Sequence, residues 1–318
     1  EPSKVDLTIL NDTRCTDCSV ATEIADSLKE IFKGLVIKEV DYSSAEGKAI
    51  YNSTQGLKLP AFLIASNVSE GEGYANVQRY LSDAGNYKLL AVGSTFDPTK
   101  EICNNSVDDN KNGKIDCEDS DCVNDLTCRS EIKNRVDVFV MSDCPYGVQA
   151  ENSMKEVLNN FGNKISFNIN YIASDNGDGT FNSLHGDYEA QEDIRQLCVK
   201  KYYSTKLLDY IWCRNEQGIQ DGDWTQCATK NGIIPKTIET CVSGEGKGLL
   251  SANVKIGESL GISASPTWLI NNKYQASGID AETIKRAICQ YNSNLAGCEN
   301  ILTNNAGTAN TGAGCATQ

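Results

Sequence analysis

The sequence predicts an α/β protein of two successive βαβ units, joined by a short, acidic, cysteine-rich segment. Three observations predict it. A strand pattern, a cysteine-bearing turn and a helical pattern follow one another from Val5, and again from Val136. Each half later carries a proline that leads into an apolar run, Lys58-Leu59-Pro60-Ala61-Phe62-Leu63-Ile64 and Ala264-Ser265-Pro266-Thr267-Trp268-Leu269-Ile270. Between the halves, Cys103 to Cys122 is rich in Asp and Asn and holds no apolar periodicity.

In the first half, Val5-Asp6-Leu7-Thr8-Ile9-Leu10 alternates as a half-buried strand does, and Ile24, Leu28, Ile31 and Phe32 fall at helical spacing after Cys15-Thr16-Asp17-Cys18. Leu35 to Val40 reads as the next strand and Ala45 to Tyr51 as a short helix. The second half repeats the order with Val136 to Met141, Cys144-Pro145-Tyr146-Gly147, a helix from Val148 to Leu158 and a strand from Ile165 to Ile172. Between Ser183 and Val242 runs a polar, helical insertion with Cys198, Cys213, Cys227 and Cys241. The expected divisions are residues 1–98, a linker at 99–130, a second domain at 131–297 and an extended tail at 298–318.

With 29 Lys+Arg against 43 Asp+Glu, a net charge of -14 argues against nucleic acid or an anionic membrane as partner, and makes divalent cations the natural counter-charge. No apolar run approaches the roughly 18 to 20 residues of a membrane span. The chain starts at Glu1, as expected after removal of a signal peptide. Fourteen cysteines beside a single histidine fit disulfides made in an oxidising compartment, hence a secreted, extracellular or periplasmic setting. A cytosolic zinc protein is the weaker alternative, because only one C-x-x-C is present and His185 is the sole imidazole. Sequons at Asn11, Asn52, Asn67 and Asn104 would make a glycoprotein where that pathway operates.

The stretch from Asp108 to Asp119 reads D-x-N-x-N-G-x-I-D-x-x-D. On a twelve-residue calcium loop, Asp108, Asn110 and Asn112 take positions 1, 3 and 5, and Gly113 takes the tight turn. The Lys114 carbonyl, Asp116 and Asp119 supply the remaining oxygens, and Ile115 is placed to pack inward. The run resembles the calcium loops of dockerins, which implies structural Ca2+. A plain acidic turn is the alternative.

Both halves resemble thioredoxin folds, through the C-x-x-C position after the first strand and the proline before a later one. The resemblance implies cis peptide bonds at Leu59-Pro60 and Ser265-Pro266, with Pro60 and Pro266 facing the cysteines. His185-Gly186-Asp187-Tyr188-Glu189, with Asp193 and Cys198 following, resembles the signature of the gamma-interferon-inducible lysosomal thiol reductases, H-G-x-x-E-C-x-x-N-x-x-x-x-C. Ala190 stands where that pattern has Cys, and Asp193 where it has Asn. The family's active-site pair maps onto Cys144 and Gly147, so a two-cysteine mechanism does not carry over intact.

Cys15 is expected at a helix N-terminus, which favours thiolate, with Asp17 opposing and Arg14 partly compensating. The Cys15 and Cys18 pair reads as redox-active or as a locked disulfide. Cys144 reads as a monothiol exchanger, a cysteine bonded elsewhere or a relic, since it lacks the thiol that would resolve a mixed disulfide. A catalytic pairing of His185 with a cysteine is disfavoured, because spacing assigns it no such role. Asp175-Asn176-Gly177-Asp178-Gly179 reads as a turn. By counting, the four insertion cysteines pair among themselves, Cys289 closes a short loop with Cys298, and Cys144 and Cys315 are left for each other. That last bond forms either within one chain or between neighbouring subunits. The tail, polar and uncharged after Glu299, is expected to add a strand to a sheet edge. Two functions follow: thiol-disulfide exchange on protein thiols and disulfides, with Cys15 attacking and Cys18 resolving, or a structural subunit of an oligomer or filament whose tail docks on a copy of itself.

Overall fold

Val5, Leu7 and Ile9 of β1 (Val5–Asn11) point to one side and are buried against Ala21, Ala25 and Leu28 of α1 (Val20–Ile31) and against Phe32 just beyond it. Leu10 turns to the other side, with Val40 of β2 (Leu35–Asp41) and Ile50 and Tyr51 of α2 (Ala45–Ser53). The period of two thus places a helix on each face. Ser44 starts α2 by accepting the Gly47 N–H at 2.9 Å. The chain is a computed structural model describing residues 2–16, 18, 20–54, 56–304 and 314–316, and it divides into two units. Unit 1 is Glu1–Ile102 with Val107–Ile115, and unit 2 is Cys103–Ser106 with Asp116–Gln318. The segment 99–130, expected as a separate linker, is therefore shared between them.

The sheet of unit 1 is completed by β3 (Ala61–Ala65), β4 (Leu81–Ala84) and β5 (Tyr87–Leu90), in the order β2-β1-β3-β5-β4, with the short α3 (Tyr74–Val77) between β3 and β4. β1 runs parallel to β2 and antiparallel to β3. Leu10 lies opposite Ala61, which sets Pro60 at the end of β1 from which the cysteine turn departs. The Leu59-Pro60 bond is cis, as expected.

In unit 2, β6 (Arg135–Val140) is parallel to β7 (Ser166–Tyr171) across α4 (Pro145–Phe161). A small hairpin follows, β8 (Ser174–Asp175) and β9 (Phe181–Asn182), whose Asp175 and Asp178 accept the N–H groups of Gly177 and Thr180 at 2.9 Å, a plain turn. The insertion comes next as five helices, α5 (Asp187–Tyr202), α6 (Leu207–Gln217), α7 (Trp224–Lys230), α8 (Pro235–Ser243) and α9 (Gly246–Ser259). It reaches further than the sequence suggested. Cys198–Cys241 joins α5 to α8, and Cys213–Cys227 joins α6 to α7.

The expected strand from Ala264 to Ile270 is broken at Pro266 into β10 (Ala264–Ser265) and β11 (Thr267–Ile270). β12 (Tyr274–Ala276) and α10 (Ala281–Tyr291) close the unit, giving the sheet order β12-β11-β6-β7. Val136, Val138 and Val140 pack with Met154, Val157 and Phe161 of α4, Trp268 of β11 and Ile284 and Ile288 of α10. The Ser265-Pro266 bond is cis. Two bridges, Cys103–Cys122 and Cys117–Cys128, hold the cysteine-rich stretch of this unit. That stretch is fastened to the β11–β12 turn, where Arg129 Nε donates to Asn272 O at 2.9 Å and Lys273 Nζ to Thr127 O at 2.8 Å.

Candidate functional site

Each unit holds one cysteine centre where its first strand gives way to its first helix. In unit 1, Cys15 and Cys18 are joined as a disulfide. Cys18 is 3% exposed, and Cys15 is partly exposed, so Cys15 offers the reachable sulfur. The expectation that Cys15 lies at the helix N-terminus is corrected: α1 begins at Val20. Asp12 sets up a turn first, its carbonyl accepting the Cys15 N–H at 3.0 Å and its carboxylate the Arg14 N–H at 2.9 Å. Arg14, expected to favour a thiolate, spends its guanidinium elsewhere. It pairs with Asp12 Oδ2 at 2.6 Å and Asp109 Oδ1 at 3.1 Å, and donates to Pro98 O at 2.9 Å. Asp17 lies outside the described residues. Across the sheet, Ser94 Oγ donates to Pro60 O at 2.5 Å and fixes the proline loop.

In unit 2, Cys144 is the N-cap residue of α4, with Pro145 as the first helical residue. It is fully buried and bonded to Cys315. The tail reaches it as β13 (Cys315–Ala316), antiparallel to β10, with Ser265 opposite Cys315 and Ala264 opposite Ala316. The tail thus pairs with its own chain; the rest of the expected extended segment, residues 305–313 and 317–318, lies outside the described residues. Ser265 Oγ accepts the Met141 N–H at 2.9 Å, which ties the proline loop to the end of β6. At Gly147, where a second thiol would stand, a Cβ would lie 2.8 Å from Ser265 Oγ and 3.0 Å from Met141 O. That place is filled.

The His-Gly-x-x-Glu run works as a clamp beneath this centre. Glu189, fully buried on the first turn of α5, accepts the Asp143 N–H at 2.8 Å, one residue before Cys144. His185 Nδ1 lies 2.9 Å from the same carboxylate, and Ser183 Oγ donates to it. The histidine therefore serves the glutamate and not a cysteine. Tyr188 Oη donates to Asp143 Oδ2 at 2.8 Å, and burial together with this bond pushes its hydroxyl up to about 12. Gly186 has φ 111°, and a Cβ there would stand 3.2 Å from the Tyr188 ring, so the glycine is required.

Sequence reasoning missed the polar interior behind the clamp. Glu192 accepts Arg214 Nε at 3.2 Å and Arg195 at 3.1 Å, and Tyr171 Oη of β7 donates to Gln196 at 2.6 Å. Burial pushes Asp193 well above the usual carboxylate range, opposed by Ser142 beside it and aided by Glu189 and Glu192. Glu151 of α4 accepts Asn215 Nδ2 at 2.9 Å, and burial raises its carboxyl to about 8.

In the acidic loop, Asp108 accepts the N–H groups of Asn112 at 3.1 Å and Gly113 at 2.9 Å, and Asn112 accepts that of Lys114 at 2.9 Å. Asn110 Oδ1 accepts the Asn112 N–H at 3.1 Å. These residues belong to unit 1, whereas Asp116 and Asp119 belong to unit 2. There Asp116 accepts the Asn105 N–H at 3.0 Å, and Asp119 accepts the Asp121 N–H at 2.7 Å. Ile115, expected to pack inward, is 45% exposed, since two disulfides and not an apolar plug hold the neighbouring chain. Among the described residues no three His, Cys, Asp or Glu side chains are grouped so as to hold a metal.

A parallel strand pair around a helix with a cysteine at its N-cap position, with an antiparallel strand behind a cis proline, defines unit 2 as a thioredoxin-like fold with a helical insertion. The family model of gamma interferon inducible lysosomal thiol reductase (GILT) matches residues 135–231. Among solved structures, oxidised BdbD from Bacillus subtilis is similar at 17% identity, over 49% of this chain and 86% of that one, with a TM-score of 0.41. The thiol-disulfide exchange protein alpha-DsbA2 from Wolbachia pipientis is similar at 13% identity, over 51% and 83%, with a TM-score of 0.39. Reduced DsbA from Mycobacterium tuberculosis is similar at 13% identity, over 52% and 85%, with a TM-score of 0.39. No curated protein matches the chain.

Proposed function

We propose that the protein exchanges disulfides with protein thiols in a secreted, extracellular or periplasmic setting, through Cys15 and Cys18 of unit 1. The supporting observation is the asymmetry of that bridge, one sulfur within reach of solvent and the other buried, at the end of β1 beside the cis-Pro60 loop. A substrate thiolate attacks Cys15 Sγ and Cys18 leaves as thiolate; a second substrate thiol then attacks the mixed disulfide and expels Cys15. The substrate pair is oxidised and the Cys15 and Cys18 pair reduced, and the reverse sequence reduces a substrate disulfide. The GILT match in unit 2 is consistent with this class of chemistry. Cys18→Ser should trap a substrate on Cys15, whose thiolate attacks a substrate disulfide and is then not expelled, read by non-reducing electrophoresis with disulfide-scrambled, unfolded protein as substrate. No trapping, together with a Cys15–Cys18 bond that resists millimolar reductant in the folded protein, overturns the proposal.

The structural reading keeps one specific observation in its favour: all fourteen cysteines are paired, in seven bridges. In that reading β13 of one chain docks on β10 of the next, and a ladder that collapses with reductant is its signature. The acidic loop belongs to the proposal as a structural Ca2+ site, supported by the ladder of carboxylate and amide acceptors from Asp108 to Asn112. Asp108, Asn110, Asn112, the Lys114 carbonyl, Asp116 and Asp119 would supply its oxygens. A chelator should expose the chain between Cys103 and Cys128 to proteolysis, and Asp108→Ala should imitate it; no change in cleavage or melting removes the site.

A further inference from the structure

We propose that Cys144 and Cys315 form a second exchange centre, in which the tail supplies the second thiol that position 147 cannot hold. This goes beyond the Cys15 and Cys18 reading and rests on a different unit. Position 147 is closed by Ser265 Oγ and Met141 O, and Ser265 is itself fully buried and held by the Met141 N–H. A thiol three residues after Cys144 has no room, so a partner has to come from outside the helix.

The tail is fitted for that place. Cys315 lies directly opposite Ser265, so the strand pairing delivers its sulfur to Cys144. Gly314 passes so close that a Cβ there would stand 2.9 Å from Ser265 O, and only glycine allows the approach. The two sulfurs are not equivalent. Cys144 is fully buried at the N-cap position of a helix of 17 residues, whose positive end favours negative charge there although the side chain caps no N–H group, whereas Cys315 is partly exposed.

These facts give the exchange a direction. A substrate thiolate attacks Cys315 Sγ, the bond between the two sulfurs breaks, and its electron pair leaves on Cys144 Sγ, the leaving group that the helix end stabilises. The substrate is now bonded to Cys315. A second substrate thiol, losing its proton to solvent, attacks the substrate sulfur of that mixed disulfide, and Cys315 leaves as thiolate and takes up a proton. The substrate dithiol has become a disulfide and the Cys144 and Cys315 pair has gained two electrons. The substrate class is a protein dithiol, and an external disulfide such as oxidised glutathione regenerates the starting bridge.

The test uses the full chain, folded, with reduced glutathione as probe, acid quench, alkylation and mass spectrometry of each cysteine peptide. Because every bridge is read separately, failure of this centre is distinguishable from failure of Cys15–Cys18. The expected result is opening of Cys144–Cys315 at least tenfold faster than the buried Cys198–Cys241 bridge, with glutathione on Cys315 and alkyl label on Cys144. In Cys144→Ser, oxidised glutathione should then modify Cys315 and remain there, for want of the buried thiol that expels it. The proposal is overturned if Cys144–Cys315 opens only together with the buried bridges, or if the first adduct forms on Cys144 in the unsubstituted chain.

Discussion

Gly147→Ala sets a local gain against a local clash, and the distances decide the sign. Alanine inside a helix is worth about 1 kcal/mol over glycine. The new methyl, however, would stand 2.8 Å from Ser265 Oγ and 3.0 Å from Met141 O. Overpacking of this kind costs about 1–3 kcal/mol. If Ser265 Oγ instead rotates away, the buried Met141 N–H that it accepts is stranded, at about 1–3 kcal/mol. The expected net loss is about 1 kcal/mol, or roughly 2–4 °C in Tm for a unit of this size. All three tryptophans, Trp212, Trp224 and Trp268, lie in unit 2, so intrinsic fluorescence during urea or thermal unfolding reads this unit alone. In a Ser265→Gly background the methyl gains room, and the same substitution should cost at least about 1 kcal/mol less. A Gly147→Ala protein stabilised by the helix gain, or an equal cost in both backgrounds, refutes the account of a filled position.

Three further outcomes are expected. Glu189→Gln should cost about 2 kcal/mol in the same unfolding assay, because a carboxylate that accepts from Asp143 and Ser183 and faces His185 loses half its accepting capacity. Glu151, raised from 4.5 to about 8, binds its proton more tightly in the folded state, so stability should be greatest below pH 4.5 as far as this group is concerned and fall as pH rises to 8. The loss is about 5 kcal/mol at most, and Glu151→Gln should flatten that slope in urea titrations taken at stepped pH. Gly186→Ala, at φ 111°, should lower stability by about 1–3 kcal/mol and weaken protection of the Asp143 amide in hydrogen exchange.

The path from strand to cysteine turn to helix, and the two prolines ahead of later strands, were legible because each rests on local periodicity and on a residue type with fixed backbone habits. The pairings Cys289–Cys298 and Cys144–Cys315 followed from counting sulfurs in an oxidising setting, whereas counting left open which of the four insertion cysteines join and whether the Cys144 bond lay within one chain. The start of α1 was misplaced, because Asp12 competes with the helix through its own turn, and a helical spacing that begins at Ile24 carries no trace of that contest. The clamp was visible only as a pattern. Glu189 meets Asp143 46 positions away, and nothing in the spacing of His185 to Glu189 points there. Glu192, Gln196 and Arg214 drew no notice within a polar, helical insertion, because polar residues carry no mark of burial when they satisfy one another.

The bridge from Cys144 to Cys315 spans 171 positions, and extended chain measures roughly 3.3–3.6 Å per residue, so about 600 Å of contour is closed into a covalent ring. Tension entering through Cys315 passes directly to the sulfur of Cys144 at the head of α4, and the five helices of the insertion carry none of it. The ring lengthens only when a thiol cuts it, which makes the tail a mechanical fuse whose trigger is chemical.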